Sequence, residues 1–430
     1  MERLCEEIVV KRSQNPMKEY LYTPAIVKLP SGRLIMSYDI SDRIGKILVS
    51  DDGGETWAEK ATRDYYHAHV ILDGGSIYVL GHTRVEKNNE LVIFVSRDDG
   101  ETWSEGDFLS QGEYWQGSAC EALYRNGYVY LCMDQVLKIE GEFPVNFWPA
   151  HIMAPVVLRG KLGTDLTKKE NWLLSQRVRY CDLVDDDREN DFGMPFLPTS
   201  LQRQDLSKCG GVDEYKACYD YENHRPGVEL IMNPGGWLEG NMVEIHDPHH
   251  FWYDPTGKSL LIFMRAHTGF TNYACVMKAV ERVRNGEEVI DIEPLYSPAG
   301  KRMIFLPFPG GQMRFHVKYD PISKLYWLAS TQAVDSMTRL EYLHPERYNL
   351  PNDERDRLVL HFSRNMVDWV FAGLVAKGNS PKESRHYASM EIDGDDLLIA
   401  SRSGDREAKC PHNGNLITLH RIKNFRDLVY

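Results

Sequence analysis

An all-β, six-bladed propeller with one irregular insertion is the fold this sequence predicts, and three observations predict it. An eight-residue turn box occurs twice, 46 residues apart. Six further segments read as strand–turn–strand, and helical periodicity is almost missing. Several short strands per unit, repeated every ~40–50 residues, is the spacing of propeller blades.

The box comes first. Ser50-Asp51-Asp52-Gly53-Gly54-Glu55-Thr56-Trp57 returns as Ser96-Arg97-Asp98-Asp99-Gly100-Glu101-Thr102-Trp103. Asp and Ser side chains can hydrogen-bond a turn backbone, Gly permits positive φ, and Trp can anchor the turn from beneath. Each copy follows a strand-like run, KILVS in one case and LVIFVS in the other. A worn copy, one residue short, runs from Ser363 to Trp369. These turns read as scaffold, so their aspartates are assigned no chemistry.

The hairpins come next: AIVKLPSGRLIMSYD, HVILDGGSIYVLGH, ALYRNGYVYLCMD, HHFWYDPTGKSLLIFMR, FHVKYDPISKLYWLAS and ASMEIDGDDLLIASR. Each centres on Gly or Asp-Pro between alternating or β-branched flanks. Six hairpins give six blades, and LITLH near the C-terminus or EEIVV near the N-terminus would close the ring. All 430 residues are expected to form one domain, with 176–236 as an excursion on one face. That stretch is rich in Asp, Arg, Gly and Pro and lacks periodicity; its DLVDDD run reads as solvated charge, not a calcium loop. ACVMKAVERVRNG is the single segment read as a short helix.

Composition narrows the function. Fifty Lys and Arg against 63 Asp and Glu leave a net charge of −13, which argues against nucleic acid or an anionic membrane as partner. No run of ~18 apolar residues could span a bilayer. A local arginine cluster could still admit an anionic small substrate. The opening MERLCEEIVVKRSQNP has no signal-like apolar run, so a cytoplasmic protein, or a secreted one whose leader has been removed, is expected. Eight cysteines without a CxxC pair exclude a disulfide framework or a zinc finger, and no HExxH-type spacing supports a metal; no cofactor is expected.

Two intact boxes, one worn box and six hairpins resemble the Asp-box (BNR-repeat) propellers and, among them, the sialidase superfamily. Leu21-Tyr22-Thr23-Pro24-Ala25 is similar to the sialidase opening Phe-Arg-Ile-Pro-Ala. Leu238-Glu239-Gly240-Asn241-Met242-Val243-Glu244, with FMR a hairpin later, resembles the segment carrying the catalytic glutamate and second arginine. The resemblance thus implies Glu239 and Arg265. Arg355-Asp356-Arg357-Leu358 resembles the strand bearing the third arginine, with Arg357 favoured and Arg355 the runner-up. His386-Tyr387-Ala388-Ser389-Met390 looks like the segment of the nucleophilic tyrosine, hence Tyr387.

The implied chemistry is retaining exo-glycoside hydrolysis. A carboxylate on the anomeric carbon would repel a carboxylate nucleophile, so a tyrosine deprotonated by glutamate attacks instead. Arginines clamp the substrate carboxylate, and an aspartate donates the proton, here Asp42 or Asp39. Tyr22 stands where that family has its first arginine, which points to an acidic sugar other than ordinary sialic acid, such as a uronic or ulosonic acid. Arg385 or Arg402, flanking Tyr387 across its hairpin, could supply the third cation.

Several further residues belong to the candidate pocket. Histidines recur near hairpin starts (His67, His69, His82, His151, His246, His249, His250, His267, His316 and His386), and some of His69, His151, His316 and His386 are expected to face it. Arg314, in Gly310-Gly311-Gln312-Met313-Arg314-Phe315-His316, suits either a ligand approach or an ordinary bulge. Trp115, Trp148 and Trp237 could stack on sugar faces or fill the core. Two other functions stay open: a lyase acting beside a uronate with a His or Tyr base, and a non-catalytic sugar-binding propeller.

Overall fold

The computed structural model describes residues 3–41, 44–83, 89–117, 120–137, 149–184, 219–220, 225–226, 235–268, 271–338, 344 and 354–430. Among them, six antiparallel sheets follow one another along the chain as blades. Blade 1 opens with Ala25–Lys28, blade 2 with Tyr66–Asp73, blade 4 with Gly236–Val243, blade 5 with His316–Asp320 and blade 6 with Arg385–Asp393. Blade 3 splits its innermost position between Trp115–Gln116 and Leu123–Arg125, both paired to Tyr128–Val136. A two-stranded ladder, Tyr219–Asp220 with Arg225–Pro226, lies in the predicted insertion. Most of 176–236, with Cys209 and Cys218 and much of the DLVDDD run, lies outside the described residues.

Both candidate closing segments are used. Glu7–Arg12 pairs antiparallel with Leu416–Ile422, so blade 6 takes its outermost strand from the start of the chain. Arg385, at the head of that blade, forms an ion pair with Glu7 at 2.6 Å, and this is where the alternative third cation goes.

The core is six wedges, each between neighbouring blades. Ile35, Ile47, Val70 and Val79 join blades 1 and 2; Leu80, Ile93, Leu131 and Val156 join 2 and 3. The series runs round to Leu34, Met36, Ala400 and Leu419, which join blade 6 to blade 1. Strands buried on both faces explain why the sequence shows near-continuous apolar runs such as LVIFVS.

The two intact boxes match atom for atom. Ser50 Oγ accepts from Gly54 N–H, Asp52 accepts from Thr56 N–H, and Trp57 Nε1–H donates to the Gly54 carbonyl, all at 2.9 Å. Ser96, Gly100, Asp98, Thr102 and Trp103 repeat these bonds. Gly100 has φ +86°, and a Cβ there would come within 2.8 Å of Ile35, so glycine is required twice over. The worn box keeps the serine bonds through Ser363 and Met366 but has lost the acceptor for its tryptophan, Trp369.

Two expectations fail. ACVMKAVERVRNG is not helical but part of the strand Tyr273–Arg284, hydrogen-bonded on both edges to Ser259–His267 and Glu287–Tyr296. The overlooked signal was Asn285-Gly286, whose positive φ angles make a two-residue hairpin between Arg284 and Glu287. In HHFWYDPTGKSLLIFMR the turn is real, but the strand facing Ser259–His267 is Gly236–Val243; His249–Trp252 are turn residues.

Candidate active site

Antiparallel alternation decides which end of the ring holds the chemistry. Each inner strand starts where the second strand ends and the third begins, so the boxes, which follow the third strand, lie at the opposite end. At the inner-strand starts the ring opens into a cavity of about 370 Å³ lined by residues from several blades.

A repeated backbone device aims side chains into it. In three inner strands the pairing slips: between Tyr66 and His69, between Leu238 and Asn241, and between His386 and Ser389. Inside each slip sits a non-glycine residue at positive φ: His67 at 51°, Glu239 at 62° and Tyr387 at 53°. All three line the cavity. Each is followed by a small residue (Ala68, Gly240, Ala388); a Cβ on Gly240 would come within 2.5 Å of Cys132. A bulge of this kind re-aims one side chain and then restores the ladder. Opposite the bulge, the end of the second strand supplies a partner: His82 faces Tyr66, Arg265 faces Leu238, and Arg402 faces His386. Asp134, facing Gln116, occupies the same place in blade 3.

Tyr387, Glu239 and Arg265 therefore meet, although they are far apart in sequence. Arg265 Nη1–H donates to the Tyr387 hydroxyl at 3.1 Å and lies 3.5 Å from Glu239 Oε2. Its Nε–H donates to the Gln312 carbonyl at 2.9 Å, which fixes the guanidinium. Burial and the Glu239 charge push the Tyr387 phenol above its ordinary pKa, while Arg265, Arg355 and Arg402 pull it back. The guanidinium of Arg402 lies over the ring of Tyr22, 4.0 Å from its centroid, and 5.2 Å from that of Tyr387. Tyr22 lines the cavity, and burial pushes its hydroxyl up to about 12.

Two carboxyls sit beside these groups. Asp134 lines the cavity, and its Oδ2 accepts the Glu239 N–H at 2.8 Å. Asp39 does the same for the strained His67, accepting its N–H at 3.2 Å. Burial pushes both up to about 8, against the pull of these backbone bonds. Asp42 lies outside the described residues.

Other predicted positions go elsewhere. Arg357 is 3.4 Å from Glu354 and 3.7 Å from Asp356, away from the cavity group. The runner-up Arg355 is buried and within 3.1 Å of His386 Nδ1, and its charge is felt at Tyr387. His386 does not line the cavity; its ring meets that of Tyr387 edge-on at 5.1 Å, and burial drives its pKa well down. Arg314 is buried and donates to the Ala388 carbonyl, behind the Tyr387 bulge. His69 is fully buried, its pKa pushed down to about 4 by burial and by Arg314. His316 accepts the Met390 N–H and lies 3.1 Å from Glu121, which Lys318 links to Glu391. His151 is buried, again not in the cavity lining.

The histidines that do line the cavity are His67, His82 and His412. The first two were visible in sequence but not separable from the rest, and the third was not singled out. Trp115 and Trp237 are fully buried core residues, and Trp148 lies outside the described residues.

No family model and no curated protein matches this sequence. Solved structures do match it in fold. A protein of unknown function from Dyadobacter fermentans superposes with a TM-score of 0.52 at 11% identity, covering 97% of this chain and 98% of that one. Trypanosoma rangeli sialidase, as its covalent intermediate with difluorosialic acid, gives 0.51 at 13% identity over 100% of this chain; the chain spans 58% of that protein's length. The Fusarium graminearum family GH93 α-L-arabinofuranosidase with arabinobiose gives 0.48 at 11% identity, covering 97% of both chains. The chain has an all-β, six-bladed propeller fold, similar to that of the sialidase.

Proposed function

We propose that this protein is an exo-acting, retaining glycoside hydrolase for a terminal acidic sugar. The observation that carries the reading is that a phenol and a carboxylate lining one cavity share a buried guanidinium behind them: Arg265 lies within 3.1 Å of Tyr387 and 3.5 Å of Glu239. Tyr387 is the nucleophile. Its raised pKa keeps it neutral in the resting protein, so it attacks only as Glu239 takes its proton. Arg265 then stabilises the developing phenolate, in a buried setting where a fixed charge acts strongly.

Arg355 and Arg402 are the further cations for the substrate carboxylate. Arg402 is stacked on Tyr22, the residue that replaces the first arginine of the sialidase pattern, so positive charge reaches that corner from a different strand. A neutral nucleophile among cations suits a sugar that carries a carboxylate on its ring.

The test is product analysis with acidic glycosides. The expected product is a free sugar released first as the anomer of the substrate, followed by proton NMR. An unsaturated product would mean a lyase, and tight binding with no product would mean a sugar-binding propeller.

A further inference from the structure

Ten non-glycine residues have positive φ among the described residues. Seven of them sit in turns, loops or boxes (Asp99, Asn126, Asn272, Asn285, Lys324, Met366 and Asn424), where such a conformation is expected. The other three lie within inner strands, and two of those are Tyr387 and Glu239. The left-handed conformation is unfavourable for a residue with a Cβ, and strain of this kind persists where surrounding structure enforces it, often at working sites. His67 has the same φ, the same slip in pairing and the same place in the cavity lining. It bears a group able to move a proton.

We propose that His67 is the acid–base residue of this site: it protonates the departing glycosidic oxygen and then takes a proton from the attacking water. The assignment rests on the hydrolase reading above. The ring is held in a defined pose. Nδ1 lies 2.7 Å from Thr23 Oγ1 and 3.9 Å from Asp39 Oδ1, and the same Asp39 oxygen accepts the His67 N–H. Tyr66 packs edge-on against the ring at 4.0 Å and His82 at 5.8 Å. In the first step the Tyr387 oxygen bonds to the anomeric carbon as the glycosidic bond breaks. The phenolic proton goes to Glu239, and the imidazolium proton goes to the leaving oxygen. In the second step water attacks that carbon, its proton passes to the neutral imidazole, and the phenol leaves with the proton returned by Glu239. Both residues end as they began.

The experiment compares kcat/KM on methyl and nitrophenyl glycosides of glucuronic acid and of N-acetylneuraminic acid. A methyl glycoside needs its leaving oxygen protonated, whereas a nitrophenyl glycoside hardly does. His67→Ala is expected to lose about 10²–10⁴-fold on the methyl glycoside and less than about tenfold on the nitrophenyl one, with azide restoring turnover of the latter. His67→Asn, which tolerates positive φ, guards against misfolding and should give the same pattern. Equal loss on both substrates, or loss on neither, overturns the proposal. So does finding the leaving-group-dependent loss in Asp134→Asn instead. Tyr387→Phe separates the two failures: if it abolishes turnover of both glycosides while His67→Ala shows no selective loss, the hydrolase reading stands and only the histidine assignment falls. Absence of turnover by the unaltered protein on all four glycosides sinks both.

Discussion

Asp52 and Asp98 on the outer rim and Asp39 and Asp134 beside the axis carry the same side chain in opposite surroundings. Asp98 is exposed, and Thr102 and Ser96 donate to it, which holds its pKa down to about 2; Asp52 is lowered in the same way by Thr56 and Ser50. Asp39 and Asp134 are buried, each accepts one backbone N–H, and each has a second oxygen without a hydrogen-bond partner. Their pKa values rise to about 8. The rim carboxylates are charged and satisfied by residues two to four positions away. The axial ones hold a proton near neutral pH and depend on strands from other blades. One end of the ring is built for stability, and the other keeps polar atoms in reserve.

Tyr387→Phe should draw the sharpest line between the two ends. Turnover is expected to fall by about 10³-fold or more, with little change in the melting temperature, since one oxygen is lost and the ring remains. Unchanged turnover would show that the phenol is not the nucleophile.

Trp103→Ala should do the reverse. Removing a buried aromatic side chain costs about 3–5 kcal/mol. Urea unfolding should show this loss, while KM and kcat of the folded fraction stay near their original values.

Arg355→Ala is expected to raise KM by about tenfold or more, the scale of a lost hydrogen bond to a charged group. Arg357→Ala should leave KM within about twofold, because that guanidinium serves Glu354 and Asp356. Reversal of these two effects would restore the assignment favoured by the sequence.

The last effect is in the pH dependence of folding. An Asp whose folded pKa is raised holds a proton that the unfolded chain releases above ~4, so its presence costs stability as pH rises from ~4 to about 8. Asp134→Asn removes that cost, and the variant should gain on the original protein between pH 5 and pH 8 in urea unfolding. Asp98→Asn tests the opposite sign. The stability that Asp98 contributes is present above ~4 and lost as pH falls toward about 2, so that variant should differ least from the original in acid.

The rim was legible because its chemistry is local. Ser50, Asp52, Gly54, Thr56 and Trp57 bond to one another, so the pattern is its own explanation. Asn285-Gly286 is equally local, but the helix-like spacing of ACVMKAVERVR masks it. The axial site was half legible. Glu239, Arg265 and Tyr387 emerged from the sialidase resemblance and do meet. Arg355 and Arg357 are not separable in the sequence, because spacing cannot say which of two alternate residues at a strand end turns inward. His67 and His82 were indistinguishable from His69 and His151 for a related reason. The bulge that turns His67 toward the cavity is a slip in pairing with another strand, and no single strand encodes it. A small residue directly after the aimed one, as in Ala68, Gly240 and Ala388, is the one sequence trace it leaves.

The blade that carries Tyr387 is assembled from both ends of the polypeptide, Glu7–Arg12 against Leu416–Ile422, with Glu7 bound to Arg385 two residues before the tyrosine. The outermost strand, Glu7–Arg12, is made early but has nothing to pair with in this sheet until Leu416–Ile422 follows. The inner strand bearing the Tyr387 phenol is therefore secured only once segments far apart in the sequence have met.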